Sequence, residues 1–157
     1  MTERERHLLQ GLIGSLQYAA VPTRPDLASS LSFLQSDINK VTVATLTAAN
    51  KAFHVAKKHH DITIKIRPIN PRDLRFLAFS DASFASKAKP ESHAGMMILA
   101  THKDISQNKA CPISPISWGS KKIQRIVTST LSAETSALST TLNQLTWLRL
   151  YRSEEHT

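Results

Sequence analysis

The sequence predicts an α+β fold in which helices come first and a small antiparallel sheet with a covering helix follows. Through about residue 60, apolar residues recur three and four positions apart, as on one face of a helix. From Asp61 onward the period changes to that of strands, and a helical pattern closes the chain. Residues 1–68 are predicted to form a helical domain, and residues 69–157 a second domain that contains the sheet and its covering helix.

Three helices are predicted in the first part. The first begins at Glu3 and is expected to stop at the segment 21–25, because its two prolines remove backbone donors and restrict the residues before them. Asp26 is then expected to cap the second helix. The third is predicted from Val43 to His59. The residues expected to face the core are Leu8, Leu9, Leu12, Ile13, Leu16, Leu27, Leu31, Leu34, Leu46, Phe53 and Ala56.

Four strands are predicted in the second part. Asp61–Arg67 alternates strictly between apolar and polar residues, which is typical of a half-exposed strand. Leu74–Ser80 is nearly all apolar, which favours a central strand covered on both faces. His93–Thr101 and Ile113–Trp118 are two further strands, and Pro115 places the last of them at an edge or a bulge.

The composition favours an intracellular protein that binds nucleic acid. The chain has 157 residues, one cysteine and a formal net charge of +8. A single cysteine cannot form an internal disulfide, so a reducing compartment, cytoplasmic or nuclear, is expected. No apolar run reaches the about 20 residues that span a bilayer, so no membrane association is expected. The basic residues fall in clusters, at residues 57–60, at Lys87 and Lys89, and at Lys121, Lys122 and Arg125; they are either solvated surface or contacts to phosphate.

A glutamate interrupts the apolar face of the last predicted helix, which extends from about Ser129 to Arg152. Glu134 lies on the same face as the leucines of that helix. A carboxylate turned toward a core loses hydration unless a cation or hydrogen bonds replace it. Glu134 is therefore expected either to form a structural ion pair or to bind a metal. The leucines are Leu131, Leu138, Leu142, Leu145 and Leu148.

A second carboxylate, Asp81, directly follows the apolar run Leu74–Ser80. By alternation it shares a strand face with Leu77 and Phe79. One interpretation is that Asp81 caps a turn. The other is that Asp81 and Glu134 converge at the end of the sheet, since paired carboxylates are what hard cations such as magnesium require.

Five segments occur in an order that resembles a known family. They are Leu12–Tyr18 with Thr23–Ala28, Ser80–Ala85, Ser92–Gly95, Ile116–Lys122, and Ser129–Leu138. Together they resemble the copia-type long-terminal-repeat retrotransposon polyprotein, at the end of its reverse transcriptase and the start of its ribonuclease H domain. The resemblance extends from about Leu8 to Arg149.

The resemblance implies a helical subdomain of reverse transcriptase in residues 1–68 and a truncated ribonuclease H-like domain in residues 69–157, with three antiparallel strands and a covering helix. It implies that Asp81 and Glu134 bind magnesium or manganese and that the intact parent cleaves RNA in RNA–DNA hybrids. The expected partners are a hybrid or another nucleic acid and the rest of the polyprotein. The expected nucleic-acid contacts are Lys87, Lys121, Lys122 and Arg125.

The chain also departs from the family pattern. Ser83, Phe84, Ser86 and Lys87 replace the acidic residues, tryptophan and glycine that usually follow the first aspartate. A third aspartate is expected on a strand after the glutamate helix, and no such strand occurs before Thr157. We therefore expect an incomplete metal site and little cleavage by this chain. The alternative is a retroelement remnant that at most binds nucleic acid through a basic face.

Overall fold

The computed structural model describes residues 2–84 and 91–154, without the side chains of residues 152–154. The helices are α1 (Glu3–Thr23), α2 (Ala28–Ser36), α3 (Val43–Lys58) and α4 (Thr130–Glu154), and the strands are β1 (Leu74–Ser83), β2 (His93–His102) and β3 (Ile113–Lys122). Two short 3-10 helices cover Pro25–Leu27 and Lys103–Gln107. The predicted α+β class, with three antiparallel strands and a covering helix, is confirmed, and it is compatible with a truncated ribonuclease H-like fold.

The chain forms two compact units. The helical unit contains Met1–Thr63 and Gly119–Lys122, and the sheet unit contains Ile64–Trp118 and Ile123–Thr157. The predicted assignment of residues 1–68 to a reverse transcriptase subdomain stays a prediction. In the described ranges, no helix combines the length and apolarity that crossing a bilayer requires.

The core of the helical unit is built from large side chains of α1 and α2. Six of its members are the predicted residues Leu9, Ile13, Leu16, Leu27, Leu31 and Leu34. They recur three and four positions apart, so each helix presents one apolar stripe to the other two helices. The prediction was wrong for Leu8, which is exposed.

Helix α1 ends at Thr23, within the predicted break at residues 21–25, and contains Pro22 in its last turn. This position is tolerated because the neighbouring groups remain bonded: Thr23 Oγ1 donates to the Ala19 carbonyl at 2.7 Å, and the Arg24 amide donates to the Ala20 carbonyl at 3.1 Å. Arg24, which follows the helix and precedes Pro25, has left the helical conformation with φ −129° and ψ 71°. The predicted capping role of Asp26 was wrong, because no side chain caps α2 and Asp26 pairs with Arg24 instead.

Helix α3 buries small residues rather than the predicted large ones. Its buried positions are Thr45, Ala49 and Ala52, whereas Leu46 and Phe53 are exposed. Small side chains allow close approach of the helix backbones, so the largest side chains of α3 are displaced to its flanks.

The sheet has the strand order β1-β2-β3. Strands β1 and β2 pair antiparallel, with Leu74 opposite His102 and Ser83 opposite His93. The prediction of a central first strand covered on both faces was wrong, because β1 lies at an edge of the three-stranded sheet and Phe79 is 57% exposed. The prediction that Pro115 marks an edge strand is confirmed, since β3 is the other edge.

The predicted strand at Asp61–Arg67 was wrong, because these residues have no regular secondary structure. Ile62 and Ile66 are exposed, so the alternation did not correspond to a buried face. The segment is held at its end by the Arg67 amide, which donates to Ser114 Oγ at 2.8 Å.

Helix α4 packs on β1 and β2 with a face different from the predicted one. Ala133, Ala137 and Thr141 are buried at intervals of four residues. The leucine stripe was the wrong core face, since Leu131 is 76% exposed and Leu142 is 50% exposed. Glu134 lies between the two faces and is half-buried.

Candidate metal and nucleic-acid site

Asp81 lies within β1, two residues before its end, and its side chain is exposed. Its partner across the strand pair is Gly95 of β2. Directly opposed residues point to the same face of a sheet, and Gly95 has no side chain to place beside Asp81. The carboxylate therefore has open space on the side of β2.

The remaining neighbours of Asp81 leave the same face accessible. Leu77 and Phe79 precede it on that face of β1, and Met97 lies opposite Phe79 on β2. Because Phe79 is largely exposed, the face is open to solvent next to Asp81. This accessibility is what a metal or substrate contact requires, and it is also compatible with a solvated surface carboxylate.

Glu134 is positioned by the first turns of α4. The Ser129 hydroxyl accepts from the Ser132 amide at 3.1 Å, and the Ser129 carbonyl accepts from the Ala133 amide at 3.1 Å, so Ser129 holds the start of the helix. Ala133 and Ala137, on either side of Glu134, are fully buried. Glu134 is thus fixed at the rim of the contact between α4 and the sheet.

The ion-pair interpretation of Glu134 has no support in the structure. Among the described residues, no lysine, arginine or histidine forms an ion pair with this carboxylate. Half-burial at the rim leaves part of the carboxylate hydrated, so it needs no buried cation to offset desolvation.

The structure brings the two predicted metal ligands into one unit, with α4 packed on the strand that carries Asp81. Their proximity at metal-sharing distance stays a prediction. Within the described residues, no three histidine, cysteine, aspartate or glutamate side chains gather where they could hold a metal ion. Asp81 and Glu134 are oxygen donors of the type that magnesium prefers, and they supply two ligands at most.

The predicted nucleic-acid contacts fall around the end of β3. Lys121 and Lys122 are its last two residues, and both are exposed, as is Arg125. The Ile123 amide donates to the Ser92 carbonyl at 2.8 Å. Because the start of β2 pairs with the end of β1, the segment from Ile123 to Arg125 begins at the same end of the sheet as Asp81. Lys87 lies outside the described residues.

Sequence reasoning missed His93 as a neighbour of the site. It is buried, and it faces Ser83 across the strand pair, on the same face as Asp81. Nothing in its local sequence indicates this placement. Only the register of β1 against β2 shows that its ring lies on the face that carries the carboxylate.

Sequence reasoning also missed a charged cluster at the opposite end of the sheet. Lys103 Nζ lies 2.7 Å from Asp73 Oδ1, and the His102 ring lies between Asp73 and Asp104, at 3.6 and 3.5 Å. The hydrogen bond from Lys103 lowers the pKa of Asp73. Since Lys103 engages Asp73 and Lys109 Nζ lies 3.9 Å from Asp104 Oδ2, we interpret this cluster as a structural connection between the strands.

Comparison with known proteins gives two curated relatives. The chain is 29% identical over 142 residues to the retrovirus-related Pol polyprotein from transposon RE1 of Arabidopsis thaliana, and 29% identical over 140 residues to that from transposon RE2 of the same plant. Each match covers 88% of this chain and 9% of the relative. The chain thus spans about a tenth of the length of these polyproteins. No family model and no solved structure matches. The resemblance to a retrotransposon Pol polyprotein that the ordered motifs predicted is therefore confirmed.

Proposed function

We propose that this chain is part of a retrotransposon Pol polyprotein that has a ribonuclease H-like activity. The intact parent cleaves RNA in RNA–DNA hybrids, and Asp81 and Glu134 contribute to its active site. The observation that carries the proposal is the accessible Asp81 carboxylate on a strand covered by the helix that bears Glu134. The similarity to the two Pol polyproteins supports the polyprotein context.

The carboxylate oxygens of Asp81 and Glu134 are of the type that magnesium and manganese bind. Two carboxylates are, however, too few ligands to fix a pair of such cations. Asp81 and Glu134 would hold the cation, whose chemistry when bound is to activate water and to stabilise the leaving oxygen. The two carboxylates would be the protein's donors to that cation, and further donors would have to come from outside the described residues. Lys121, Lys122 and Arg125 would hold the phosphate backbone by charge, without reading its sequence.

A second candidate function is a catalytically inactive remnant that binds nucleic acid through its basic residues. The specific observation in its favour is that the described residues provide no third metal ligand. The replacements Ser83 and Phe84, two and three residues after Asp81, support it as well. The two candidates differ in whether the parent cleaves a hybrid.

The test uses a labelled RNA–DNA hybrid with magnesium or manganese and two proteins. One is the chain itself, and the other is the chain extended by the residues that follow it in its parent element. We expect little cleavage by the chain alone and metal-dependent cleavage by the extended protein. Asp81→Asn and Glu134→Gln should each reduce that cleavage by at least about 10–100-fold, the loss seen even for groups that only support a metal ligand.

The matched control is Asp104→Asn in the extended protein, since Asp104 lies beyond the opposite end of the sheet and should leave cleavage unchanged. Robust cleavage by the chain alone that Asp81→Asn removes would show that two acids suffice. An extended protein that binds hybrid and leaves it intact with either metal would favour the remnant.

A further inference from the structure

The face of α3 that points away from the core of the helical unit is basic. Lys51, His54 and Lys58 follow one another at spacings of three and four residues, so they share one side of the helix. All three are exposed, and the buried residues of α3 lie on the other side. We name these three residues the α3 ridge. At 1.5 Å of rise per residue the ridge is about 10 Å long.

The positive charge of α3 is not compensated along the helix. Its 16 residues include Lys51, Lys57 and Lys58 and contain no aspartate or glutamate. In the part of the chain that the structure describes, none of these lysines forms an ion pair. Their ammonium groups are therefore available to an anionic partner.

The C-terminal end of α3 is held by a buried arginine. Arg24 Nη1 donates to the Ala56 carbonyl at 3.1 Å, and Nε and Nη2 bind the two oxygens of Asp26 at 2.9 and 2.8 Å. Both oxygens of Asp26 are thus engaged. The backbone of a helix fixed in this way needs no further ordering on binding, so only the lysine side chains lose freedom.

We propose that the α3 ridge binds the phosphate backbone of nucleic acid, as a contact surface on the helical unit that goes beyond the proposed cleavage site in the sheet unit. A ridge of about 10 Å spans about three steps of a strand that advances 3.4 Å per nucleotide. Lysine contacts of this type neutralise phosphates and do not read bases. The last residues of β3, including Lys121, belong to the same helical unit, so both basic segments are carried by one compact body.

An anionic membrane is the competing partner for a basic helix. A helix that lies on a membrane needs large apolar residues beside its basic face. Thr47 and Asn50, beside the ridge, are polar and exposed. The exposed apolar residues Leu46 and Phe53 lie on the flank toward the buried side of α3, and among the large apolar residues of this helix only Val43, in the first turn, is exposed on the ridge side. The chemistry of this face therefore favours nucleic acid.

The test measures binding of the whole chain to a labelled RNA–DNA hybrid over a range of salt concentrations. We expect the double variant Lys51→Gln/Lys58→Gln to reduce the slope of log affinity against log salt by about 1–2, since each phosphate contact contributes about 0.9. Glutamine has nearly the helix propensity of lysine, so circular dichroism should show an unchanged fold.

The matched control is Arg4→Gln/Arg6→Gln, which removes the same charge from α1, where acidic Glu3 and Glu5 alternate with the arginines. We expect its slope to change by less than about 0.5. Equal effects of the two double variants would mean that net charge alone matters and would overturn the proposal. So would an unchanged slope in the α3 variant.

A third variant separates this proposal from the proposed function. If Lys121→Gln/Arg125→Gln weakens hybrid binding and the α3 variant does not, the ridge is refuted while nucleic-acid binding by the chain stands. If the α3 variant weakens binding to phosphatidylserine vesicles and leaves hybrid binding intact, the partner is a membrane and the proposal is wrong. Hybrid cleavage by the extended protein tests Asp81 and Glu134 independently of either result.

Discussion

The helical unit and helix α4 make their main contacts with opposite kinds of residues. Helices α1 and α2 bury isoleucine and leucine, such as Ile13 and Leu31, which are fully inaccessible. Helix α4 buries alanine and threonine against the sheet and leaves Leu131 and Leu142 in solvent. An apolar stripe of period 3.6 therefore identified the core in one region and the solvent face in the other.

The difference follows from how closely the elements approach. The large side chains of α1 and α2 pack against each other in the helical core, so there the largest side chains are also the most buried. Where α4 lies on β1 and β2, the alanines at positions 133 and 137 occupy the contact. A leucine there would hold the helix away from the sheet. Helix α3 behaves like α4, since its buried residues are Thr45, Ala49 and Ala52.

The largest expected effect is the loss of a large side chain from the helical core. Leu31→Ala should lower the free energy of unfolding by about 2–5 kcal/mol, because it removes buried methyl groups and leaves a cavity. Leu142→Ala, which makes the same chemical change on α4, should change it by about 0.5 kcal/mol or less. Urea denaturation followed by far-ultraviolet circular dichroism measures both.

The two tryptophans help to assign each effect to a unit. Trp118 and Trp147 both belong to the sheet unit, so their fluorescence reports its unfolding, whereas circular dichroism reports both units. If Leu142→Ala costs as much as Leu31→Ala, the leucine face of α4 is buried in solution and the comparison fails.

A smaller effect is expected when a side chain is enlarged at the α4 contact. Ala137→Leu should destabilise the sheet unit by about 1–3 kcal/mol, since the added atoms have no space between the helix and the sheet. Ser139→Leu introduces the same side chain at an exposed position of α4 and serves as the matched control. Fluorescence-detected unfolding should show a loss for Ala137→Leu only, and equal stability of the two variants would refute the close approach.

The smallest effect concerns the polar contact that joins α1 to α3. The hydrogen bond from Arg24 lowers the pKa of Asp26, so this carboxylate stabilises the fold above its ordinary pKa of about 3.9 and loses that contribution as the pH falls through the lowered value. Because Asp26 is partly exposed, we expect Asp26→Asn to cost less than about 1 kcal/mol at neutral pH.

The pH dependence provides the check. The difference in free energy of unfolding between the parent chain and Asp26→Asn should shrink as the pH falls from neutral through the lowered pKa of Asp26, where the parent carboxylate also becomes protonated. A difference that stays constant over this range would mean that the ion pair with Arg24 contributes nothing through its charge.

Local patterns in the chain were sufficient for much of the fold. The leucines of α1 and α2, the three strands and the closing helix all follow from residue spacing and length. The alternation in Asp61–Arg67 misled because period alone cannot show whether a partner strand exists. The proline break at residues 21–25 was predicted correctly, since α1 ends at Thr23 and Pro22 lies in its last turn.

The candidate site was predictable to a similar extent. Asp81 at the end of an apolar run and Glu134 in a helical pattern are visible in the sequence, and the structure places both in one unit with α4 on β1. The opposition of Asp81 to Gly95 and the placement of His93 on the same face depend on strand register. No pattern within one strand contains that register, since it is set by how two strands pair.

The sequence by itself determined the order and type of the elements, the core stripes of α1 and α2, the uncompensated charge of α3 and the resemblance to a retrotransposon polyprotein. The tertiary structure decided which face of α3 and of α4 is buried, that β1 lies at an edge, and which side chains neighbour Asp81. The physical reason is that spacing along a chain defines the faces of a helix or strand, whereas the face that is buried depends on how closely another element can approach it.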